Sequence, residues 1–258
     1  MRVTTSPPAF LKLLAHEQRW HLLAALSGGD LRVQELMERV GEPANLVSYH
    51  LRRLREHALV RERRSSADGR DVYYSLDLDR VAYLYQAAGA SLHPGLAPAT
   101  AAAGPPPAMP EPAAAAGPAP RVLFVCTHNS ARSQMAEALL RHLAAGRIEA
   151  ASAGTAPTRL DPLAVWVMAQ QGIDIRAQRA KSLLDLGEPR FDRVVTVCDL
   201  ARETCAALPE GVAAQHWSLP DPAAVEGSGE ARRRAFEDTA RELRTRLRFL
   251  LAALGPGR

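Results

Sequence analysis

A run of 27 residues in the middle of the chain, 94–120, constrains the fold more than any other feature of the sequence. Proline and alanine fill 20 of its 27 positions. The prolines preclude a continuous helix, and no apolar period runs through the segment. We therefore predict a semi-extended linker between a domain at 1–93 and a second domain at 121–258. A buried irregular loop is the alternative, and the length of the segment disfavours it.

The composition of the 258 residues excludes several classes of protein. The chain is 47% hydrophobic and 23% charged, which is typical of globular proteins. No stretch approaches the roughly 18 apolar residues of a membrane span, and the N-terminus has no apolar signal core. An odd number of cysteines, Cys126, Cys198 and Cys205, argues against a structural disulfide framework. We expect a cytoplasmic protein without membrane association, whose thiols are free.

The first domain is predicted to contain short helices followed by a β-hairpin. Apolar residues recur at helical spacing over 9–27 and again over 31–40. A third helix, 44–57, is followed by strands at 60–64 and 70–76 that flank an Asp-Gly turn. On the helix, one buried stripe should be formed by Val47, Leu51, Leu54 and Ala58. The second strand alternates, which places Val72, Tyr74 and Leu76 on one face.

A helix, a turn, a helix and a basic two-stranded wing form a DNA-binding arrangement. Residues 52–64 carry a local charge of +4, within a chain whose net charge is also +4. Arginines on such a surface neutralise phosphates, and polar residues on the helix reach base edges. A solvated arginine-rich face is the alternative. The predicted DNA-binding residues are Asn45, Ser48, Tyr49, Arg52, Arg53, Arg63 and Arg64.

Residues 8–90 resemble the ArsR-type winged-helix repressors, through VSYHLRRLREHALVRERR and the following DGRDVYYSL. The resemblance implies a homodimer that binds an operator in double-stranded DNA, with the terminal helix 78–92 as the dimer contact. Arsenic-sensing members often carry a Cys-x-Cys pair before the recognition helix. Here that stretch is LRVQEL, and the domain has no cysteine. Sensing of trivalent arsenic by thiolates of this domain is therefore excluded. The sequence does not identify the effector that would release the domain from DNA.

In the second domain, a short buried strand (RVLFV, 121–125) runs directly into Cys126, and a helical pattern follows a few residues later. The loop between them should present successive backbone N–H groups to an oxyanion. Arg132 can bind two oxygens of a tetrahedral anion, and its positive field should lower the pKa of Cys126. A structural cysteine beside a surface arginine is the alternative. The remaining predicted loop residues are Thr127, His128, Asn129, Ser130, Ala131 and Ser133.

Strands and helices alternate through the rest of this domain, which predicts an α/β fold with a parallel sheet. The domain resembles the low-molecular-weight protein tyrosine phosphatases, and within them the thioredoxin-coupled arsenate reductases. The residues that carry the resemblance are VLFVCTHNSARSQMAEALL, SAGT, VVTVCDLARETC and WSLPDP. It implies Cys126 as nucleophile, Arg132 as oxyanion clamp and Asp221 as acid. Cys198 and Cys205 become the redox relay, with thioredoxin as the external reductant.

Two departures from the family patterns bear on function. Phosphatases of this fold usually carry an aromatic residue after the Asp-Pro, where this chain has Ala223. Some members hold a monovalent cation at a place that corresponds to Asn129, Glu137 and Ser152. Lys181 falls where a ligand to that cation is expected, and we expect its ammonium group to replace the ion. No metal and no bound cofactor are predicted.

The sequence therefore predicts a bifunctional protein that reduces arsenate to arsenite and regulates transcription of arsenic resistance. Two alternatives remain open: a phosphatase acting on phosphotyrosine or a small ester, and a regulatory sensor of arsenic or oxidants without turnover. How the domains communicate is not predicted.

Overall fold

The computed structural model describes residues 6–67, 69–97, 119–187, 190–204 and 212–254. They form two compact units, one mainly before the predicted linker and the other mainly after it. Most of the linker lies outside the described residues, apart from a 3₁₀ turn at Pro94–Leu96 and residues 119–120. In the described part of the chain, no helix combines the length and apolarity that crossing a bilayer requires.

The first unit contains five helices and a three-stranded sheet in its described residues. The strand order is β1-β3-β2, and β1 pairs antiparallel with β3. This is the predicted helix-turn-helix with a wing. The helices are α1 (Ala9–Leu14), α2 (Glu17–Ser27), α3 (Val33–Val40), α4 (Ala44–Glu56) and α5 (Leu78–Leu92), and the strands are β1 (Leu31–Arg32), β2 (Val60–Arg64) and β3 (Val72–Leu76).

The predicted apolar stripe of the third helix is confirmed at three of its four positions. Val47, Leu51 and Leu54 are buried in the core of the first unit. Ala58 is exposed, so its prediction was wrong. The helix ends at Glu56 and Ala58 adopts a positive φ of 54°, which breaks the helical period. Leu59 is the buried residue instead.

Two further boundaries differ from the sequence prediction. The helical run predicted at 9–27 is broken, because His16 has an extended backbone and caps α2. Arg19 Nε donates to the Leu13 carbonyl at 2.5 Å, which satisfies a carbonyl at the end of α1. The pattern predicted at 31–40 begins with β1, because its first two residues pair with β3 before α3 starts. Gly41 then ends α3 with a φ of 69°, a left-handed conformation that suits glycine.

The second unit is built on a four-stranded parallel sheet, which confirms the predicted α/β architecture. The strand order is β5-β4-β6-β7. The strands are β4 (Arg121–Cys126), β5 (Glu149–Gly154), β6 (Arg193–Thr196) and β7 (Ala213–His216), and the helices are α6 (Arg132–Ala144), α7 (Pro162–Gln170), α8 (Asp199–Thr204) and α9 (Gly229–Leu254).

The hydrophobic core of this unit fixes the central strand β4. Every residue of β4 after Arg121 is buried, because helices cover a parallel sheet on both faces. Phe124 on the strand, Met135 and Leu139 on α6, and Phe236 on α9 belong to one core cluster. Cys126 therefore lies at the carboxyl end of the sheet's most constrained strand, the edge where α/β proteins bind ligands.

Candidate active site

The thiol of Cys126 lies under the loop that joins β4 to α6. The backbone N–H of Asn129 points at Cys126 Sγ, with an N···S distance of 3.2 Å. Ser133 Oγ, in the first turn of α6, is 2.9 Å from the same sulfur. The loop thus folds back over its own first residue. Such a loop, placed before a helix N-terminus, is suited to hold an anion next to the sulfur.

The side chain of Asn129 holds this loop in place. Its backbone has a φ of 46°, a left-handed conformation that few non-glycine residues adopt, although asparagine tolerates it. Asn129 Nδ2 donates to Ser133 Oγ and Ser152 Oγ, both at 2.8 Å. Its Oδ1 accepts from the Lys181 backbone N–H at 2.8 Å and from Gln134 Nε2 at 2.9 Å. All four hydrogen-bonding positions of this buried amide are used, so its conformation is over-determined.

The chain that leaves β5 runs along the loop and is bonded to it through the backbone. The N–H groups of Thr155, Ala156, Thr158 and Asp161 donate to the carbonyls of residues 126, 127, 128 and 130, at 2.8–3.2 Å. Gly154 begins this segment, and a Cβ atom there would be 2.6 Å from the Thr127 carbonyl oxygen. Only glycine allows the two segments to come this close.

Arg132 and Asp221 form an ion pair beside the loop. Arg132 Nη2 lies 2.7 Å from Asp221 Oδ2, and Nη1 donates to the Leu219 carbonyl at 3.0 Å. The guanidinium is almost buried, whereas the carboxylate keeps about a quarter of its surface exposed, 27%. The structure thus brings together a nucleophile candidate, a cation and an accessible acid from positions 126, 132 and 221.

The expected lowering of the Cys126 pKa was wrong for this geometry. Burial raises the pKa of the Cys126 thiol above its ordinary value, and the neighbouring Cys198 adds to the effect. The contacts with Ser133 and Arg132 act in the opposite direction but do not outweigh burial. The Arg132 guanidinium, whose hydrogen bonds go to Asp221 and the Leu219 carbonyl, lowers this pKa by less than burial raises it.

Cys198 is a second buried free thiol next to the loop. It follows β6 and directly precedes α8, and Ala201 N–H approaches its sulfur at 3.4 Å. Thr127 Oγ1, in the loop itself, is also 3.4 Å from Cys198 Sγ. The fold therefore brings positions 126 and 198 to the same edge of the sheet. Cys205 lies outside the described residues.

A buried carboxylate, Glu137, lies at the place where a monovalent cation was considered. Its Oε2 accepts from Ser152 Oγ at 2.5 Å, and Lys181 Nζ is 3.2 Å from the same oxygen. Arg141 Nη2 is 2.7 Å from the other oxygen, Oε1. Two protein cations thus neutralise a carboxylate that is itself only 2% exposed.

The other predicted loop residues differ in exposure. Thr127, Ala131 and Ser133 are buried, Ser130 is half-buried and His128 is exposed. Two residues that the sequence reading missed also shape the site, namely Gly154 and Gln134. Gln134 Nε2 donates to Arg179 O at 2.8 Å as well as to Asn129. The sequence does offer a signal for Gly154, because this glycine lies at the end of a predicted strand, in the motif Ser-Ala-Gly-Thr. Nothing in the sequence marks Gln134.

In the first unit, α4 displays the predicted DNA-binding residues on its exposed side. Asn45, Ser48, Tyr49 and Arg52 are exposed, and the Arg52 guanidinium lies 5.8 Å from the Tyr49 ring centre. Arg53 is exposed too and pairs with Glu56 at 2.7 Å. On β2, Arg63 is half-buried, whereas Arg64 is exposed and donates to the Gly69 carbonyl at 3.2 Å.

Comparison with known proteins agrees with the two units. Residues 121–257 match the family model described as low molecular weight phosphotyrosine protein phosphatase, and the chain belongs to this family. Residues 16–62 match the model of bacterial regulatory proteins of the arsR family, so the chain joins a regulatory helix-turn-helix to a phosphatase-type domain.

Three curated relatives indicate where in this family the chain lies. The arsenate reductase of Shouchella clausii is 38% identical over 128 residues, which cover 49% of this chain and 91% of that protein. The arsenate reductase of Bacillus subtilis is 35% identical over 127 residues, with the same coverage. The glutaredoxin arsenate reductase of Synechocystis sp. is 33% identical over 102 residues, or 40% of this chain and 78% of that protein.

Proposed function

We propose that the second unit reduces arsenate to arsenite through a nucleophilic thiol and a two-cysteine relay. The observation that carries this proposal is a second buried thiol, Cys198, in contact with the loop that covers Cys126. Phosphoryl transfer needs one nucleophile, an anion cradle and an acid, and has no use for a neighbouring thiol. The relatives named arsenate reductase support the same reading.

The first step forms a sulfur–arsenic bond. Arsenate is a tetrahedral oxyanion, and it docks on the N–H groups of loop 127–131 with Arg132 turned towards its oxygens. The Cys126 thiolate attacks arsenic, Asp221 protonates the departing hydroxide, and water leaves. Because burial raises the pKa of Cys126, the thiol gives its proton to an oxygen of the arsenate dianion as the anion binds. The Arg132–Asp221 pair keeps the acid next to the site.

The second step reduces arsenic. The Cys198 thiolate attacks Cys126 Sγ, the sulfur–arsenic bond breaks, and its electron pair stays on arsenic. Arsenic passes from the +5 to the +3 state and leaves as arsenite after taking up protons, while Cys126 and Cys198 form a disulfide. Cys205 then attacks Cys198 Sγ, and the Cys126 thiolate is released for the next turnover.

The last step transfers the disulfide to an external dithiol, for which we propose thioredoxin. Residues 199–204 are helical, and seven residues of a continuous helix rise by about 10 Å. A disulfide requires Cα atoms within about 7 Å. Helix α8 must therefore unwind at least partly on oxidation, which exposes the disulfide to its reductant. Amide exchange across 198–204 should rise on oxidation, and equal protection in both states would contradict this step.

The decisive test is arsenate reduction coupled to thioredoxin, thioredoxin reductase and NADPH. The wild type should turn over, whereas Cys126→Ser and Cys198→Ser should not. Cys205→Ser should complete one turnover and stop with a 126–198 disulfide. Full steady-state activity in Cys205→Ser would refute the three-thiol relay. Replacing thioredoxin by glutaredoxin and glutathione tests the alternative reductant that one relative's name indicates.

A phosphatase and a sensor without turnover are the competing functions, and the same protein distinguishes them. A phosphatase would hydrolyse p-nitrophenyl phosphate efficiently, and Cys198→Ser would leave that rate unchanged. A sensor would show no arsenate turnover, while Cys126→Ser would alter release of DNA.

We also propose that the first unit binds an operator in double-stranded DNA. The exposed side of α4, with Asn45, Ser48, Tyr49 and Arg52, supports base contacts, and the match to arsR-family regulators supports the same function. We propose a homodimer through α5, where Tyr83 and Tyr85 are exposed. Arg52→Ala should weaken operator binding, and the control Arg241→Ala, at an exposed position on α9 of the second unit, should not. Equal binding by the Arg52 variant and the wild type would contradict this interface.

We assign the linker at 94–120 a tethering role between domains 1–93 and 121–258.

At the Glu137 cluster we propose that the Lys181 ammonium replaces a bound monovalent cation, because it lies 3.2 Å from the buried carboxylate.

A further inference from the structure

A cluster of buried polar side chains lies next to Cys198, and the chemistry above makes no use of it. Ser218 Oγ donates to Asp199 Oδ1 at 2.8 Å, and His216 Nε2 is 3.2 Å from the same oxygen. On its other side, His216 Nδ1 is 2.8 Å from Thr196 Oγ1. All four side chains are at most 7% exposed. Polar groups at this depth are costly to bury unless they are paired, so their arrangement requires an explanation.

The roles of the atoms follow from their chemistry. An ionised carboxylate only accepts hydrogen bonds, so His216 Nε2 carries the proton that it shares with Asp199. On the other side of the ring, the direction of the hydrogen bond between Nδ1 and the Thr196 hydroxyl depends on the tautomer, and Thr196 Oγ1 also lies 3.4 Å from the Gln215 carbonyl oxygen. Asp199 Oδ1 thus receives two hydrogen bonds, and bonds to a charged acceptor in a buried setting are the stronger ones.

The cluster connects two parts of the proposed reductase site, namely helix α8, which follows Cys198, and the segment that leads to Asp221. Asp199 is the first residue of α8 and follows Cys198 directly. His216 ends β7, and Ser218 belongs to the segment that continues to Asp221. That segment is also held from the other side, because Arg132 binds the Leu219 carbonyl and Asp221. The Asp199 carboxylate therefore holds the first turn of α8 against the segment 216–221, which Arg132 also holds in place.

We propose that Asp199, His216 and Ser218 are positioning residues that hold Cys198 in line with Cys126 for the second thiol attack. We refer to the three as the carboxylate latch, and the inference rests on the proposed reductase function. Without the latch, the first turn of α8 loses its tie to the sheet edge, and the Cys198 thiol no longer points consistently at the adduct. Misplacing a reacting atom by about 1 Å costs on the order of 100-fold in rate. Asp221 keeps its position, because the bonds to Arg132 remain.

The test separates the two chemistries by substrate. His216→Met removes the donor to Asp199 at similar length, and His216→Gln keeps an amide N–H near the Nε2 position. We expect His216→Met and Ser218→Ala each to slow arsenate reduction by about 10- to 100-fold. Hydrolysis of p-nitrophenyl phosphate, which we expect to be slow in the wild type and which uses the Cys126 loop but not Cys198, should stay within about twofold of the wild-type rate. His216→Gln should recover most of the loss. Thr239→Val removes a buried hydroxyl that bonds only within α9 in the described contacts, and serves as the control.

A second measurement does not depend on arsenate. In a Cys205→Ser background, diamide oxidises the 126–198 pair, and quenching with N-ethylmaleimide followed by mass spectrometry gives the rate of disulfide formation. The latch variants should form this disulfide at least about tenfold more slowly than their parent. Equal loss of both activities would show a general structural role, and unchanged rates in both assays would overturn the proposal. If the wild type forms the disulfide but does not reduce arsenate, the proposed function fails while the latch is still tested.

Discussion

Replacing Gly154 by alanine should damage the active-site loop more than the same change at any other described glycine of the second unit. The new Cβ would lie 2.6 Å from the Thr127 carbonyl oxygen and 3.0 Å from both the backbone nitrogen and the Cβ of Asn129. Ordinary van der Waals contact begins near 3.4 Å, so the loop must retreat by about 0.8 Å. Because the atoms that block the methyl group include backbone atoms, no change of rotamer relieves the clash.

This retreat has separable effects on stability and rate. Forcing one extra carbon into a packed site costs about 1–3 kcal/mol, which urea unfolding measures. The same shift moves the N–H groups that hold the oxyanion, and a displacement approaching 1 Å lowers the rate by about 10- to 100-fold. Gly229→Ala is the matched control, because its Cβ meets nothing within 4 Å and its φ is not in the left-handed region. A Gly154→Ala enzyme that is folded and fully active would refute the close approach.

Three more outcomes test the electrostatics. Asp221→Asn keeps the shape of the side chain but removes the acid, so kcat for arsenate should fall by about 10²- to 10³-fold, as steady-state kinetics would show. Lys181→Met leaves the buried Glu137 with one cation fewer, so thermal unfolding should occur several degrees lower and be partly restored by potassium but not by tetramethylammonium. Equal effects of the two salts would contradict a cation site. Burial, with His16 adding to it, lowers the pKa of His50 from 6.5, so the folded state binds fewer protons than the unfolded chain below that pH. The contribution of His50 to stability should therefore be constant well above pH 6.5, where neither state binds the proton, and should fall as the pH drops through 6.5. His50→Phe should remove this part of the slope in urea unfolding.

Much of the architecture could be predicted because it depends on local patterns. The proline and alanine run predicted a break between two domains, and the alternation of strands and helices predicted the parallel sheet. The approach of Cys126 to a helix N-terminus could be predicted for the same reason, since Cys126 ends β4 and α6 begins only six residues later. The errors in the first unit were local too. Ala58 fits the helical period, but the helix had already ended, and a period does not reveal where a chain reverses.

The geometry of the candidate site depended on contacts between residues far apart in the chain. Arg132 meets Asp221 across 89 positions. Burial raises the pKa of Cys126, and Cys198, 72 positions further on, adds to the effect, so the direction of this shift also depends on the assembled core. The fit of Gly154 under the loop also arises from parallel pairing of β4 with β5.

The amino-acid sequence by itself determined which residue types can do chemistry here: a thiol before a helix, an arginine six positions later, and two more thiols downstream. Tertiary structure alone decided which of them meet, at what depth and with which partners. The latch of Asp199, His216 and Ser218 forms only where the ends of β6 and β7 lie side by side. Burial and pairing are properties of the assembled core, because they depend on which distant residues pack around each group and exclude water from it. A local sequence pattern therefore cannot predict them.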